Sequence, residues 1–291
     1  MSLGYVLPES LSEASKFLRE HKQDARIVAG GTDVMVQLRR GGIEGKGGPR
    51  WLVDITRIPG LAYIRAEGDV MRIGAMTTHA EIARSPLVRE KAPLLAEACA
   101  SIGSPQIRAR GTIGGNIMNA SPAADSIPAL VALSARVRLA GPEGVRDAAI
   151  SDIFGGPYKT TVQPGEVLVE VHFDALTAGC SSAFVKLGRR EALAIARLSV
   201  AVVIERDSTG RVSRASIAPG ACLPMPSRLA PAEAMVVGRV PDEEATKSAA
   251  REVAEEMVRR TGVRWSTEYK KPVVEALTRR AIWKALGVDA D

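Results

Sequence analysis

The sequence predicts an α+β fold in two parts. Residues 1–177 form a two-lobed domain, with lobes over about 1–58 and 59–177, and residues 178–291 form a second α+β domain with a three-stranded antiparallel sheet and helices. Three observations carry this division. Two glycine-rich stretches, Ala29-Gly30-Gly31-Thr32-Asp33 and Thr112-Ile113-Gly114-Gly115-Asn116, fall in separate lobes of the first part. The composition loosens at Ala175-Leu176-Thr177-Ala178-Gly179. Beyond that point, three alternating apolar runs are followed by two long amphipathic segments.

Taken in order, the chain opens with a helix over Pro8 to Leu18. Ser10 and Glu13 have capping-box spacing, and Leu11, Ala14 and Leu18 fall on one helical face. A strand from Ala25 to Ala29 leads into the first glycine stretch, and Val34 to Leu38 reads as a short helix whose amides would add to an anion site. Residues 41–48 hold five glycines and read as a loop. Trp51 to Ile55 is a strand that closes a small βαβ-like lobe near Ile58-Pro59.

The second lobe begins with a hairpin over Leu61 to Ile73, turning at Glu67-Gly68-Asp69. Thr77 to Ala83 and Pro86 to Ala100 read as helices, the latter with Leu87, Leu94, Leu95 and Ala98 on its core face. Ala135 to Leu139, Val145 to Ile150 and Glu166 to Phe173 read as strands. In the second domain, Ser182 to Leu187, Ala196 to Glu205 and Val212 to Ala218 alternate as a meander. Asp242 to Arg260 and Glu268 to Leu286 are amphipathic helices, with Ala245, Ala249, Val253 and Met257 on one and Val273, Leu277, Ala281 and Ala285 on the other.

The chemistry concentrates in the stretch from Arg110 to Asp125. Gly114-Gly115 can take positive φ and lets a pyrophosphate or another backbone approach the main chain, while the small side chains expose backbone N–H groups. Asp125 and Ser126 read as a helix start with Pro128 in the first turn. Ala29 to Asp33 repeats the same chemistry, so the two stretches would clamp one diphosphate from both sides. Read alone, each is also an ordinary connector between strand and helix. Neither has the spacing of the Rossmann fingerprint or of the nucleotide-triphosphate loop.

These two stretches, together with Ala120-Ser121-Pro122-Ala123-Ala124-Asp125 and Phe184-Val185-Lys186-Leu187-Gly188-Arg189-Arg190, resemble the FAD-binding medium subunit of the xanthine dehydrogenase and molybdenum hydroxylase family. The resemblance covers essentially the whole chain. It implies a PCMH-type FAD-binding domain, of the vanillyl-alcohol-oxidase-like fold, followed by a carbon monoxide dehydrogenase flavoprotein-like C-terminal domain. It assigns the FAD pyrophosphate to Ala29, Gly30, Gly31, Thr32 and Asp33 and to Thr112, Gly114, Gly115 and Asn116, and the FAD sugar portion to Asp125. Ile102, Leu168, Lys186 and Ile195 match further cofactor-binding positions, Ile195 in a loop of variable length. By spacing alone Asp125 is a helix N-cap, and Lys186 by itself reads as a solvated lysine.

The resemblance further implies non-covalent FAD, with molybdopterin and iron–sulfur clusters held by partners. Those partners are a small two-iron two-sulfur subunit and a large molybdenum subunit, in a dimer of heterotrimers. Best-known aerobic carbon monoxide dehydrogenases carry histidine and serine after the first Gly-Gly and aspartate after the second, where Thr32-Asp33 and Asn116 stand here. The iron–sulfur cysteine insertion of the 4-hydroxybenzoyl-CoA reductase subunit has no counterpart here.

Composition narrows the remaining classes. With 46% hydrophobic and 25% charged residues the chain reads as an ordinary globular protein without a run long enough to span a bilayer. Its first residues lack an export pattern, which makes a cytoplasmic protein the expectation. Cys99, Cys180 and Cys222 are scattered, as are His21, His79 and His172, so no disulfide framework, metal site or histidine tether for flavin is expected. The formal charge of +6 is dispersed and aromatics make up only 4%, a poor match to a nucleic-acid surface. Basic pairs such as Arg259-Arg260 and Arg279-Arg280 read as solvated faces or as a docking surface for an acidic partner. The expected function is therefore electron transfer through FAD from a partner's iron–sulfur clusters to an external acceptor. The alternative is a self-contained flavin-dependent oxidoreductase of the same fold.

Overall fold

The structure, a computed structural model, describes residues 3–39, 49–190 and 193–288. The glycine loop expected at 41–48 lies outside the described residues. In the first lobe the helix Leu11–His21 is capped by Ser10, whose hydroxyl accepts from the Glu13 amide. The Glu13 carboxylate reaches back to the Glu9 amide at 2.9 Å rather than to Ser10, so the capping box is displaced by one residue. Ala14 and Leu18 bury this helix against a three-stranded parallel sheet in the order Gly4–Val6, Trp51–Asp54, Ala25–Val28. The first of those strands carries no legible sequence signal.

The second lobe is a five-stranded antiparallel sheet, ordered Ile64–Glu67, Val70–Gly74, Val167–Asp174, Arg136–Gly141, Gly144–Ala149. Alternation along the strands sends Met71, Ile73, Val137, Leu139, Val171 and Phe173 into one core. The other face carries Arg72, Arg138, Glu170 and His172. There the Glu170 carboxylate, 3% exposed, accepts from the Tyr63 hydroxyl at 2.6 Å and from Arg72 at 2.7 Å, with Arg138 at 3.4 Å and His172 at 3.3 Å.

The helix expected over Pro86 to Ala100 is two helices, Pro86–Lys91 and Pro93–Ala100. Pro93 has no amide to donate and disfavours helical dihedrals at the residue before it, and Ala92 leaves the helical region at φ −156. Val88, not Leu87, is the fully buried residue of the first piece. A further helix, Pro105–Arg110, not expected from the sequence, has Ser104 as N-cap and Pro105 in its first turn.

The strands Cys180–Leu187, Leu198–Arg206 and Val212–Gly220 form the expected antiparallel meander. This sheet is covered on both faces. Phe184, Ala201, Val203 and Ala218 join the core of the second lobe. Ala183, Val200, Val202, Ile204 and Ile217 pack on the helices Glu243–Thr261 and Thr267–Leu286. Ala245, Ala249, Val253 and Met257 line the first helix as expected. On the second, Val273 packs partly buried against the core as expected and Val274 beside it is fully buried. Arg259 and Arg260 are not a free basic surface, because Glu252 and Glu256 neutralise them along their own helix.

Candidate cofactor site

The site is built where the two glycine stretches meet. A Cβ on Gly30 would overlap the Arg110 carbonyl, and one on Gly111 would stand 3.4 Å from the Thr32 hydroxyl. Glycine at position 30 therefore permits contact between the two stretches. Gly31 alone among the four paired glycines takes positive φ, at 75°. Among the described residues the amides of Gly30, Gly31, Thr32 and Asp33 donate to no protein acceptor, which leaves four N–H groups at the mouth of the helix Val34–Arg39.

The second stretch differs from its expected form. Gly114 and Gly115 are not a positive-φ turn but the first turn of the helix Ile113–Asn119. Thr112 caps it by accepting from the Gly115 amide at 3.1 Å. The amides of Ile113 and Gly114 are taken by the carbonyls of Thr77 and Ala75. Close packing explains the first glycine: a Cβ on Gly114 would lie 2.7 Å from the Ala75 methyl. Gly115 is a different case, since its Cβ would meet only the Thr112 hydroxyl at 2.9 Å and the Ala29 methyl at 3.7 Å. Its bare face opens into the space between the two stretches.

Asp125 precedes the helix Ser126–Ala132, yet its side chain caps nothing there. Its Oδ2 accepts from Lys186 Nζ at 2.6 Å, and the same ammonium donates to the Ser101 carbonyl at 3.0 Å. Both side chains are largely withdrawn from water, with 7% of Asp125 and 12% of Lys186 exposed. Lys186 is therefore no solvated lysine. Burial pushes the Asp125 carboxyl up to about 6, against the opposing pull of Lys186. Its Oδ1 is buried without a partner, an unsatisfied acceptor of the kind that marks a ligand position.

The other expected residues divide by position. Asn116 accepts from the buried Ser126 hydroxyl at 2.6 Å, which ties the glycine helix to the Asp125 helix. Ile102 follows Ser101 directly, beside the Lys186 contact, and its carbonyl accepts from Arg108. Leu168 is buried in the core at a slip in strand register. Its neighbour Val169 bonds the Ala75 amide beneath Gly114. Ile195 is not brought against any of these, and its side chain is 79% exposed. His79, one of the scattered histidines, carries no sequence signal of a place at the site. It is buried under Gly111, its amide donates to the Gly111 carbonyl, and burial pulls its imidazole down to about 4, so it is neutral there. Only the fold brings it to the site.

The donor set fits FAD. Free amides at Gly30 to Asp33 and the bare face of Gly115 suit a diphosphate, and the unpartnered Asp125 Oδ1 suits a sugar hydroxyl. Among the described residues no group of three or more His, Cys, Asp or Glu is placed to hold a metal ion. None of the described helices is long and apolar enough to cross a membrane.

Residues 1–174 match the family model for the FAD binding domain in molybdopterin dehydrogenase, and 182–285 match the CO dehydrogenase flavoprotein C-terminal domain. The two together define an FAD-dependent oxidoreductase subunit. The carbon monoxide dehydrogenase medium chain of Hydrogenophaga pseudoflava is 34% identical, over 96% of this chain and 95% of its own. The nicotinate dehydrogenase FAD-subunit of Eubacterium barkeri is 32% identical, over 95% and 93%. A solved carbon monoxide dehydrogenase from H. pseudoflava, one lacking the Mo-pyranopterin moiety of its molybdenum cofactor, superposes with a TM-score of 0.91 at 34% identity, covering 100% of this chain and 99% of that one. The chain belongs to the FAD-binding medium subunits of the molybdenum hydroxylase family.

Proposed function

We propose that this chain is the electron-transfer subunit of a molybdenum-containing hydroxylase or dehydrogenase, receiving electrons from a partner's iron–sulfur clusters and delivering them to an external acceptor. The observation that carries the reading is the half-satisfied Asp125 carboxylate together with the free amides of Gly30 to Asp33, in a chain matched over nearly its whole length by FAD-binding subunits. Ala29 to Asp33 and Thr112 to Asn116 would hold the pyrophosphate. Asp125 Oδ1 would accept from a hydroxyl of the sugar portion, with Lys186 fixing the carboxylate and Ile102, Leu168 and Ile195 completing the contacts. FAD, when bound, supplies the one- and two-electron redox chemistry.

The chain's own residues bind, orient and exclude water. Cys99 and Cys222 are buried singly and Cys180 stands apart, so none of the three helps assemble the cysteine set of a two-iron cluster. Clusters and molybdopterin belong, on this reading, to a small and a large partner chain in a cytoplasmic assembly. The test is the isolated, flavin-loaded protein. Acid precipitation is expected to release all FAD, and purines, aldehydes and aromatic substrates are expected to give no turnover. Turnover by the metal-free chain would instead favour a self-contained flavin-dependent oxidoreductase.

A further inference from the structure

The large apolar side chains most exposed among the described residues are Trp265 at 96%, Val263 at 84% and Ile195 at 79%. They belong to one rim. Val263 and Trp265 occupy the turn between the two long C-terminal helices, and Arg197, at the end of the Ile195 loop, lies over the Tyr269 ring at 5.3 Å. Lys270 donates to the Ala221 carbonyl and Arg260 to the Ser227 hydroxyl, which brings segment 221–228 to the same place. The rim adjoins the cofactor site, because the Arg197 amide donates to the Leu187 carbonyl, one residue beyond Lys186.

Its charge is one-sided. Segments 188–197, 221–228 and 260–271 hold eight Lys and Arg against Glu191 and Glu268; three of the eight, Arg228, Arg260 and Lys271, pair with Glu233, Glu256 and Glu255 outside these segments. Some cations elsewhere are answered by carboxylates. Arg138 has Asp147, Arg146 has Glu166, and Lys247 has Glu243. On the rim, Arg189, Arg190, Arg197, Arg264 and Lys270 have no carboxylate within 4.0 Å among the described residues. A fully exposed tryptophan among unanswered cations has the make-up of an interface hot spot, in which a buried aromatic anchor is ringed by charges that steer encounter.

We infer that this rim docks the acidic face of the iron–sulfur chain, with Trp265 and Val263 as its apolar anchor; the inference rests on the electron-transfer reading above. Charge complementarity selects the occupant. A second copy of this chain would present the same surplus of positive charge and be repelled. Nucleic acid would leave Val263, Ile195 and Leu193 against phosphate with a single exposed indole to stack. Electrons bound for the flavin must also enter near it, and the rim meets the strand that carries Lys186.

The test uses the complex isolated through a tag on the full chain, with its partners identified by iron and molybdenum content. Benzoylphenylalanine in place of Trp265 is expected to cross-link, on illumination, to the iron-bearing chain. W265S combined with R264E is expected to lower recovery of that chain by about thirtyfold, while FAD content stays at the wild-type level. Cross-links to the molybdenum-bearing chain, to a second copy or to lipid would overturn the inference. So would undiminished recovery with the double variant, or binding of the wild-type chain to phosphatidylglycerol vesicles or single-stranded DNA that the variant abolishes. Recovery of no iron-bearing chain even with wild type would overturn the electron-transfer reading itself.

Discussion

Two buried carboxylates of this molecule are treated in opposite ways. Glu170, on the outer face of the five-stranded sheet, is surrounded by Tyr63, Arg72, Arg138 and His172, and both its oxygens have partners. Asp125 is nearly as buried but has one cation on one oxygen and nothing on the other. Leaving a buried acceptor unmade costs on the order of 1–3 kcal/mol. A fold that satisfies Glu170 so completely has the means to satisfy Asp125 as well. The contrast separates a carboxylate that holds a sheet together from one held ready for a ligand.

The comparison breaks if the two residues exchange phenotypes. Glu170→Ala strips an acceptor from two guanidinium groups and a phenol. It is expected to destabilise the fold by about 3 kcal/mol, with Glu67 and Asp147 retaining part of the charge balance, as measured by urea unfolding. The surviving folded protein is expected to bind FAD normally. Gly115→Val places methyl groups in the space between the two glycine stretches and crowds the Thr112 cap. It is expected to lose flavin, weakening FAD affinity by on the order of 2–3 kcal/mol while the melting temperature changes little. Full FAD occupancy in this variant would make the second stretch a mere connector.

Asp125 sharpens the contrast through pH. Its carboxyl is held above the ordinary 3.8, at about 6, so the folded chain favours its protonated form. The stability it contributes is present in full below 3.8 and is lost as the pH rises through 6, a fall of about 3 kcal/mol in the apo-protein on its account. Asp54, Asp147 and Glu166 act in the opposite sense, their carboxyls being held low. For Asp147 and Glu166 hydrogen bonds from Arg138 and Arg146 are the main cause, while at Asp54 bonds from Thr56 and Tyr5 overcome the upward push of burial. The informative quantity is therefore the difference between wild type and Asp125→Asn across that interval. Asp125→Asn is expected to flatten the dependence and to weaken FAD by about 1.5 kcal/mol, read from flavin retained after gel filtration. An unchanged pH profile would show that the carboxyl is not strained.

Much of this was legible in the sequence, and the misses have physical causes. The meander and the two long helices follow from alternation and helical spacing, because apolar periodicity reports directly on burial. Gly114 and Gly115 were misread as a turn because glycine in a helix is normally a cost, and only the Ala75 methyl beneath Gly114 explains its presence. Lys186 looked solvated because nothing near it in sequence foretells Asp125, which lies 61 residues away. The break at Pro93 was readable from proline chemistry and was overridden by an apolar pattern running through it. The strand Gly4–Val6 is too short to carry a pattern at all.

The strand Leu198–Arg206 sends Ala201 and Val203 into one core and Val200, Val202 and Ile204 into the other. Two segments matched by separate family models thus share a single wall. Cutting the chain near residue 177 would expose apolar surface on both products, so neither is expected to survive proteolysis as a stable fragment, and heat is expected to melt the whole chain in one cooperative transition. The flavoprotein is expected to behave as a single unit in its stability even where its sequence reads as two modules.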